Sequence, residues 1–268
     1  MPAGDASPVP PEGSSHDQPI HPPETLTSVE AVEQLRAGAR DYLGLTLTPP
    51  QLEAFAWYLD QLLLWNTRHN LTAIVEPSEI ALKHFLDSLT LLPRLGRAAG
   101  GRIIDIGTGA GFPGLPLRIV SESLRLTLVE ATAKKVDFCR AVISGLSLRR
   151  VEVLHARAED LGHLDEHRER YDVALGRAVA ALPVLVEYLL PFVKVGGRVL
   201  AQKGEGGPAE AQQAEAAIRL LGGGLRQIHP VELPGVAEAR YILEIDKIAA
   251  TPETYPRRAG IPTKRPLR

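Results

Sequence analysis

Cysteine is almost absent from this sequence, since Cys139 is the only one among its 268 residues. A single cysteine excludes an internal disulfide framework and any metal site built from several cysteines, and it is typical of a reducing cytoplasm. The sequence also lacks an apolar run of about 18 residues, and its N-terminus has no basic segment followed by an apolar one. We therefore expect a soluble, cytoplasmic protein that is neither secreted nor bound to a membrane.

No strong charge of either sign marks the chain, because 30 Lys and Arg residues nearly balance 32 Asp and Glu residues. An anionic partner must therefore be met by a local basic patch. Residues 1–27 carry seven prolines, no Lys or Arg and few large apolar side chains, which predicts a disordered extension. The remaining length is enough for one α/β domain with an accessory element.

Residues 28–97 show the apolar periodicity of three helices. The first helix ends near Gly44, the second begins after Thr48 and two prolines, and the third begins near Ser78. These helices predict a small cap that precedes a sheet domain in residues 98–250.

The sheet domain is organised around the stretch Ile-Ile-Asp-Ile-Gly-Thr-Gly-Ala-Gly-Phe-Pro-Gly, which runs from Ile103 to Gly114. It predicts a buried parallel strand, a glycine-rich turn and a helix start in immediate succession. Three of its glycines, Gly107, Gly109 and Gly111, allow positive φ and let the backbone lie against a ligand. An ordinary strand-to-helix turn rarely needs so many glycines, so the stretch predicts a nucleotide-cofactor site.

Two cofactors fit this turn, because Gly109 to Gly114 matches the G-x-G-x-x-G pattern of dinucleotide-binding proteins by letter. An NAD(P)-dependent oxidoreductase is therefore an alternative at this point. S-adenosylmethionine is favoured by Asp105, which stands two residues before the first glycine. A carboxylate there attracts the sulfonium and ammonium groups of that cofactor, whereas it repels a pyrophosphate.

Other acids follow the next two predicted strands and face the same crevice. Glu130 closes the second strand, where a carboxylate that binds ribose belongs. The alternative for Glu130 is a solvated acid at a helix start. Ala158 and Glu159 follow the third strand, and in this crevice they would flank an adenine ring.

Two cations stand at the carboxyl ends of the fourth and fifth predicted strands, where ligands bind in open α/β sheets. Arg177 and Lys203 are therefore candidate catalytic residues, with an ordinary surface cation as the alternative for each. Two last β-type runs, 225–233 and 239–245, are joined by a short turn and predict an antiparallel pair. The whole pattern predicts a doubly wound, mostly parallel, seven-stranded α/β sheet, whose antiparallel end is typical of methyltransferases rather than dehydrogenases.

The tail, residues 251–268, carries five Lys and Arg residues and one acid. Its prolines argue against a helix. We expect an extended basic arm that follows an RNA phosphate backbone through Arg257, Arg258, Lys264 and Arg265. A solvated, disordered tail is the alternative.

Taken together, the motifs resemble those of the bacterial GidB family, the small-subunit ribosomal RNA guanine-N7 methyltransferases. The resemblance covers most of residues 40–268, and family members commonly have Ser where this chain has Gly176. It is carried by segments spread along the chain: Trp65-Asn66, Asn70–Ala73, His84, Asp87–Leu89, Asp105–Gly114, Glu130, Lys134-Lys135, Gly176–Ala178, Lys203-Gly204 and Tyr255–Gly260.

The resemblance implies a Rossmann-like class I methyltransferase that transfers a methyl group from S-adenosylmethionine to N7 of a guanosine in 16S rRNA. Its partner would be 16S rRNA or the small ribosomal subunit, and we expect a monomer. It adds cofactor contacts at Phe112, Ala131, Thr132 and Arg177. Guanine N7 has a free lone pair, so no general base is needed, and orientation and electrostatics supply the rate.

In this scheme Arg177 and Lys203 hold the guanine through its O6 edge or an adjacent phosphate. Phe112 and Tyr255 are the available aromatic residues for stacking a splayed base. The cap histidine, His84, is either a satisfied buried residue or an RNA contact, and the same two interpretations hold for Asn66 and Asn70. A nucleotide-sensing or ribosome-assembly module without catalysis is the remaining alternative function.

Overall fold

The structure is a computed structural model, and it describes residues 27–96 and 100–267. The predicted disordered extension, residues 1–27, falls outside the described residues except for Thr27. No helix within these two ranges is long and apolar enough to cross a membrane.

The first two helices begin and end at the residues that the sequence indicates. Thr27 and Glu30 form a capping box at the start of the first helix, which ends at Gly44 with a left-handed φ of 62°. Thr48 and Gln51 form a second capping box. The helices of the cap are α1 (Ser28–Leu43), α2 (Pro49–His69), α3 (Pro77–Ile80, Ala81–Leu86 and Asp87–Leu89 as one continuous helix) and α4 (Leu92–Leu95).

The middle of α3, Ala81–Leu86, is a π-helix, which the sequence periodicity does not predict. A π-turn is wider than an α-turn, and it often occurs at functional sites. Here the π-helical segment and the turn after it carry three groups that converge on one side chain of the sheet. These groups belong to Lys83, His84 and Asp87, and the side chain is that of Arg177.

Seven strands form a single sheet in the order β3-β2-β1-β4-β5-β7-β6. The first five strands are parallel, and β7 is antiparallel to both of its neighbours. The predicted fold class is therefore confirmed. The strands are β1 (Arg102–Ile106), β2 (Arg125–Glu130), β3 (Val151–His155), β4 (Tyr171–Arg177), β5 (Val193–Lys203), β6 (Gly223–Val231) and β7 (Arg240–Lys247).

Helices cover both faces of the sheet, as the continuous apolar runs of the central strands require. These helices are α5 (Gly114–Val120), α6 (Ala133–Gly145), α7 (Ala158–Leu161), α8 (Leu182–Leu189), α9 (Gly207–Gln213), α10 (Glu215–Leu220) and α11 (Ile261–Lys264).

The cap and one face of the sheet share a single hydrophobic core. Tyr58 on α2 stacks on Phe112 of the glycine turn at a centroid distance of 5.5 Å, and it also contacts Phe85 on α3 and Phe138 on α6. Its hydroxyl donates a hydrogen bond to the carbonyl of Ala110. The cap therefore packs directly against the turn that the sequence identifies as the cofactor site.

Candidate active site

The glycine turn after β1 uses positive φ at Gly107, Gly109 and Gly111. Position 107 also has no room for a side chain, because a Cβ added to Gly107 would lie 2.7 Å from Cγ2 of Val179. The loop of residues 178–181, which follows β4, thus lies directly over the turn.

Asp105 is completely buried beneath this turn. Its Oδ2 accepts hydrogen bonds from the Thr108 hydroxyl at 2.7 Å and from the Gly114 N–H at 2.9 Å, while Oδ1 has no partner among residues 27–96 and 100–267. Burial raises the pKa of this carboxyl group to about 6. Asp105 therefore holds the turn from below, and it is not part of the wall of the crevice above.

A crevice of about 610 Å³ runs along the carboxyl ends of the first four strands. We call it the cofactor crevice. Five of the predicted cofactor residues line it, namely Gly107, Glu130, Ala131, Ala158 and Glu159. Six others do not line it, namely Asp105, Gly109, Gly111, Phe112, Thr132 and Arg177.

Glu130 connects the crevice with the backbone of the turn. Its Oε2 accepts the Gly109 N–H at 3.0 Å, and its Oε1 accepts the Thr132 N–H at 2.8 Å. An ionised carboxylate has about four acceptor positions, so each oxygen keeps capacity for a further donor. The residue that lines the crevice is therefore oriented by the turn and can still receive hydroxyl groups of a ligand.

A second cavity of about 280 Å³ adjoins the cofactor crevice, and Ala178 lines both. We call it the base cavity. It contains both predicted catalytic residues, together with side chains from the cap and from the last strands of the sheet. Its walls include Lys83, His84, Asp87, Arg177, Gln202, Lys203, Arg240 and Tyr241.

Arg177 is held in the base cavity by contacts from the cap. Its Nη1 lies 3.1 Å from both Oδ2 of Asp87 and the carbonyl of Lys83, and its Nη2 lies 3.3 Å from Nδ1 of His84. The guanidinium also lies over the ring of Phe112, 5.1 Å from its centroid. These contacts fix the direction of the cation, and such fixed orientation is what electrostatic catalysis requires.

Asp87 ties the cap to three strands. In addition to Arg177 on β4, its carboxylate lies 3.7 Å from Nη1 of Arg240 on β7. Its carbonyl accepts a hydrogen bond from Nε2 of Gln202 on β5 at 2.7 Å. The floor of the base cavity is thus built where the cap meets the ends of the strands.

His84 is a neutral, half-buried histidine. Its ring stacks on Phe112 at 4.6 Å, and its Nε2 lies 2.8 Å from the hydroxyl of Thr72. Burial and the positive charge of Arg177 lower the pKa of His84 to about 3. This residue is therefore not a proton donor near neutral pH, which favours the structural interpretation of His84.

Three of the aromatic and polar residues singled out in the sequence have structural roles. Phe112 is only 4% exposed and is enclosed between Tyr58 and His84, so its ring does not offer a free face to a base. Asn66 accepts hydrogen bonds from the N–H groups of Leu71 and Thr72 and so shapes the end of α2. Asn70 terminates that helix with a left-handed φ of 40°.

Lys203 lines the base cavity, but its ammonium group is engaged. Its Nζ donates to the carbonyl of Ala180 at 2.6 Å and lies 2.7 Å from Oε2 of Glu210. The same carboxylate oxygen accepts the Leu182 N–H at 2.6 Å, at the start of α8. Lys203 therefore holds the 178–181 loop in place, and its direct contact with a guanine stays a prediction.

The tail is folded against the domain and is not an extended arm, which corrects the sequence prediction. Arg257 forms three side-chain hydrogen bonds with the buried carboxylate of Glu187, and its Nη2 lies 2.7 Å from Oε2. Arg257 is therefore committed to an ion pair within the protein, and its contact with RNA stays a prediction. The Gly260 N–H donates to Oε1 of Glu159 at 3.0 Å. These bonds bring the short helix α11 to the rim of the cofactor crevice despite the neighbouring prolines.

Three lining residues of the cofactor crevice, Tyr188, Thr263 and Pro266, were not predicted from the sequence. Tyr188 and Thr263 lie 3.1 Å apart, hydroxyl to hydroxyl. Tyr188 belongs to the apolar helix α8 and resembles a core residue there, and the tail residues carry no motif of a cofactor site. Tyr255 lines neither cavity, and its carbonyl accepts a hydrogen bond from Arg168.

A seven-stranded sheet of this order, with a glycine turn after β1 and an acid at the end of β2, defines a class I methyltransferase that uses S-adenosylmethionine as its cofactor. The model of the GidB family, described as rRNA small subunit methyltransferase G, matches residues 51–235. The chain belongs to this family.

This chain matches its curated relatives over nearly the whole of their length. A protein of Desulforamulus reducens named "Ribosomal RNA small subunit methyltransferase G" is 47% identical over 87% of this chain and 97% of its own. A protein of the same name from Roseiflexus castenholzii is 50% identical over 84% of this chain and 95% of its own. A solved structure of a SAM-dependent methyltransferase from Aquifex aeolicus is 17% identical, with a TM-score of 0.49, and the match covers 64% of this chain and 94% of that chain.

Proposed function

We propose that this protein transfers a methyl group from S-adenosylmethionine to N7 of a guanosine in the 16S rRNA of the small ribosomal subunit. The observation that carries the proposal is the pair of adjoining cavities that share Ala178. One cavity has the residues of a cofactor site, and the other is lined by fixed cationic donors. The rRNA substrate is the one that the names of the curated relatives state.

The residues of the cofactor crevice fit S-adenosylmethionine. Glu130 has acceptor capacity for the ribose hydroxyls, and Ala158 and Glu159, which line the same crevice after β3, are our candidates to flank the adenine. Below the turn, Asp105 holds the glycine backbone in place through its bonds from Thr108 and Gly114. When bound, the cofactor supplies an electrophilic methyl group.

The base cavity fits a purine that needs orientation rather than deprotonation. Arg177 offers a fixed donor for the O6 edge of guanine. Gln202 Oε1 and Arg240 Nε, an acceptor and a donor in the same wall, have no partners in the described part of the chain. A base that presents both donors and acceptors would satisfy such a wall. The lowered pKa of His84, about 3, makes it a weak base, in agreement with the free lone pair of N7, which needs none.

We infer that the RNA also contacts the exposed cations of the tail. Arg258, Lys264 and Arg265 are exposed, and the last two lie at the end of α11, at the rim of the cofactor crevice. Contacts of this kind bind the phosphate backbone and give affinity without sequence information.

Methyl transfer to small subunits from cells that lack this gene tests the proposal. The expected result is one 7-methylguanosine per 16S rRNA, mapped to a single position. A matched RNA in which 7-deazaguanosine replaces that guanosine keeps the Watson–Crick edge but has no N7, and it should accept no methyl group. Methylation of the deaza RNA, or of another atom of the base, would overturn the assignment to N7.

A further inference from the structure

A second cationic cavity lies at the end of the sheet opposite the active site. Arg102, Arg125 and Arg150 line a space of about 610 Å³ at the amino ends of β1, β2 and β3. We call it the arginine pocket. Arg125 begins β2, and Glu130 of the cofactor crevice ends it, so five steps along the strand, or about 17 Å, separate the two sites.

The charges of the arginine pocket are not compensated. Among residues 27–96 and 100–267, no ion pair includes Arg102, Arg125 or Arg150. Glu152 is the one acid in the lining, and its Oε1 already accepts a hydrogen bond from the Thr127 hydroxyl at 2.7 Å. Three guanidinium groups around one carboxylate leave a surplus of positive charge, which favours an anionic ligand.

The pocket is also partly ordered in advance. Arg102 lies over the ring of the buried Tyr171, 4.8 Å from its centroid. Arg150 has a left-handed φ of 57°, and its carbonyl accepts the Leu126 N–H at 2.9 Å, so the sheet fixes its backbone. The Arg102 cation and the Arg150 backbone thus start from defined positions, which lowers the entropy lost on binding.

We propose that the arginine pocket binds phosphate groups of the RNA substrate, as a second contact remote from the site of methyl transfer. Guanidinium groups suit phosphate because they donate two parallel hydrogen bonds. The inference rests on the proposed function, since it assumes an RNA substrate that is larger than the target nucleotide.

The edge of the sheet connects the arginine pocket with the active site. Strand β3 is the edge strand, and Arg150 immediately precedes it. At its other end, Arg157 lines the cofactor crevice together with Lys135. An RNA strand of a few nucleotides can follow this edge from one positive site to the other, so a single folded RNA can occupy both.

The double variant Arg125→Ala/Arg150→Ala tests the proposal, because both side chains are exposed and their loss leaves the core intact. Its KM for the small subunit should rise about tenfold, and the slope of log KM against log salt should shrink by about 1.5 to 2. The KM for a short hairpin that spans only the target guanosine should not change. The control, Arg140→Ala/Arg219→Ala, removes the same charge from exposed ion pairs elsewhere and should leave both substrates unaffected.

Equal KM values and salt slopes for the wild type and the double variant would refute the second contact, as would an equal loss on the hairpin. Calorimetric titration with pyrophosphate tests whether the ligand of the arginine pocket is a free phosphate compound rather than RNA. Pyrophosphate binding that is lost in the variant, with an unchanged KM for the subunit, would overturn the assignment to RNA. If the wild type itself methylates neither substrate, the proposed function fails rather than this inference.

Discussion

The guanidinium of Arg257 and the carboxylate of Glu187 are joined by a bidentate ion pair, in which the Glu187 side chain is fully buried and the two groups approach to 2.7 Å. The backbone N–H of Arg257 donates to the same carboxylate at 2.8 Å. This pair fastens the tail to α8, and the tail in turn supplies Thr263 and Pro266 to the cofactor crevice. An arginine in a basic tail therefore serves the cofactor site.

Arg257→Ala should weaken cofactor binding, because it leaves Glu187 buried without its partner and releases the tail from the crevice. Breaking a buried ion pair by removing one partner lowers the free energy of unfolding by about 3 to 5 kcal/mol. The measurements are calorimetric affinity for S-adenosylhomocysteine and protease sensitivity of the tail. Arg258→Ala removes the same charge from the adjacent exposed position and is the control. Equal affinity in the two variants would show that the tail does not shape the crevice.

Glu130→Ala should also weaken binding of S-adenosylhomocysteine, since the ribose and the N–H groups of Gly109 and Thr132 all lose an acceptor. We expect a loss of about 1 to 3 kcal/mol in binding free energy by calorimetry. Glu130→Gln keeps one acceptor oxygen and should lose less. An affinity unchanged in both variants would remove this acid from the cofactor site.

Arg177→Ala should reduce the single-turnover rate strongly at saturating RNA, because a purine without its oriented donor loses alignment. His84→Gln should keep that rate within about tenfold, since a residue with a pKa near 3 is not the proton acceptor near neutral pH. The pH profile of the wild type should have no limb that is due to a base near neutrality. A collapse of the rate in folded His84→Gln, with Arg177→Ala nearly normal, would reverse these roles.

The pH dependence of stability should contain two opposing contributions. His84 has a folded pKa of about 3, below its ordinary value of 6.5, so the unfolded chain binds the extra proton. Its contribution to the free energy of unfolding is fully present above pH 6.5 and is lost as the pH falls toward 3. Asp105 has a folded pKa of about 6, above its ordinary 3.8, so the folded protein binds the extra proton, and its contribution rises as the pH falls from 6 to 3.8.

Urea unfolding from pH 7 to pH 4 separates the two contributions. Relative to the wild type, His84→Gln should gain stability as the pH falls, and Asp105→Asn should lose it, each by at most about 1.4 kcal/mol per pH unit. Asparagine keeps an acceptor for Thr108 and Gly114, which makes it a suitable replacement. Parallel curves of unfolding free energy against pH for all three proteins would show that neither residue has a shifted pKa.

The exposed cations of the tail should contribute to RNA affinity. The triple variant Arg258→Ala/Lys264→Ala/Arg265→Ala should bind RNA more weakly, and its salt slope should shrink by about 2. The affinity for S-adenosylhomocysteine should stay the same, because none of the three side chains lines the cofactor crevice. Binding curves at several salt concentrations provide the measurement, and identical slopes would leave the tail with its cofactor role alone.

The sequence predicts the sheet well, because buried parallel strands are continuous apolar runs that end in turns with distinctive residues. Glu130 and Glu159 were found in this way, since the carboxyl ends of parallel strands share one edge. The cap helices could be predicted equally well, because capping residues mark their ends. These features are local, and each is set by a few neighbouring residues.

Features that depend on contacts between distant residues could not be predicted in the same way. The partners of Lys203 and Arg257 are Glu210 and Glu187, and only the tertiary fold brings Glu187 to the tail, 70 residues away. Asp105 belongs to the glycine motif, which the sequence shows. Its burial under the turn depends on the start of α5, where the Gly114 N–H donates to its carboxylate. Charge and position in the sequence therefore indicate which residues are near the site, while the fold decides which of them touch the ligand.

The contacts of Asp87 have a consequence for folding. Asp87 of the cap pairs with Arg177 and Arg240 and accepts a hydrogen bond from Gln202, and these three residues lie on three different strands. Without the sheet the cap loses the partners of Asp87, and without the cap the sheet loses the partner of these three side chains. The aromatic residues around Tyr58 are shared in the same way. Cap and sheet therefore form one cooperative folding unit, and a segment that carries only the sheet would expose its glycine turn as a hydrophobic surface.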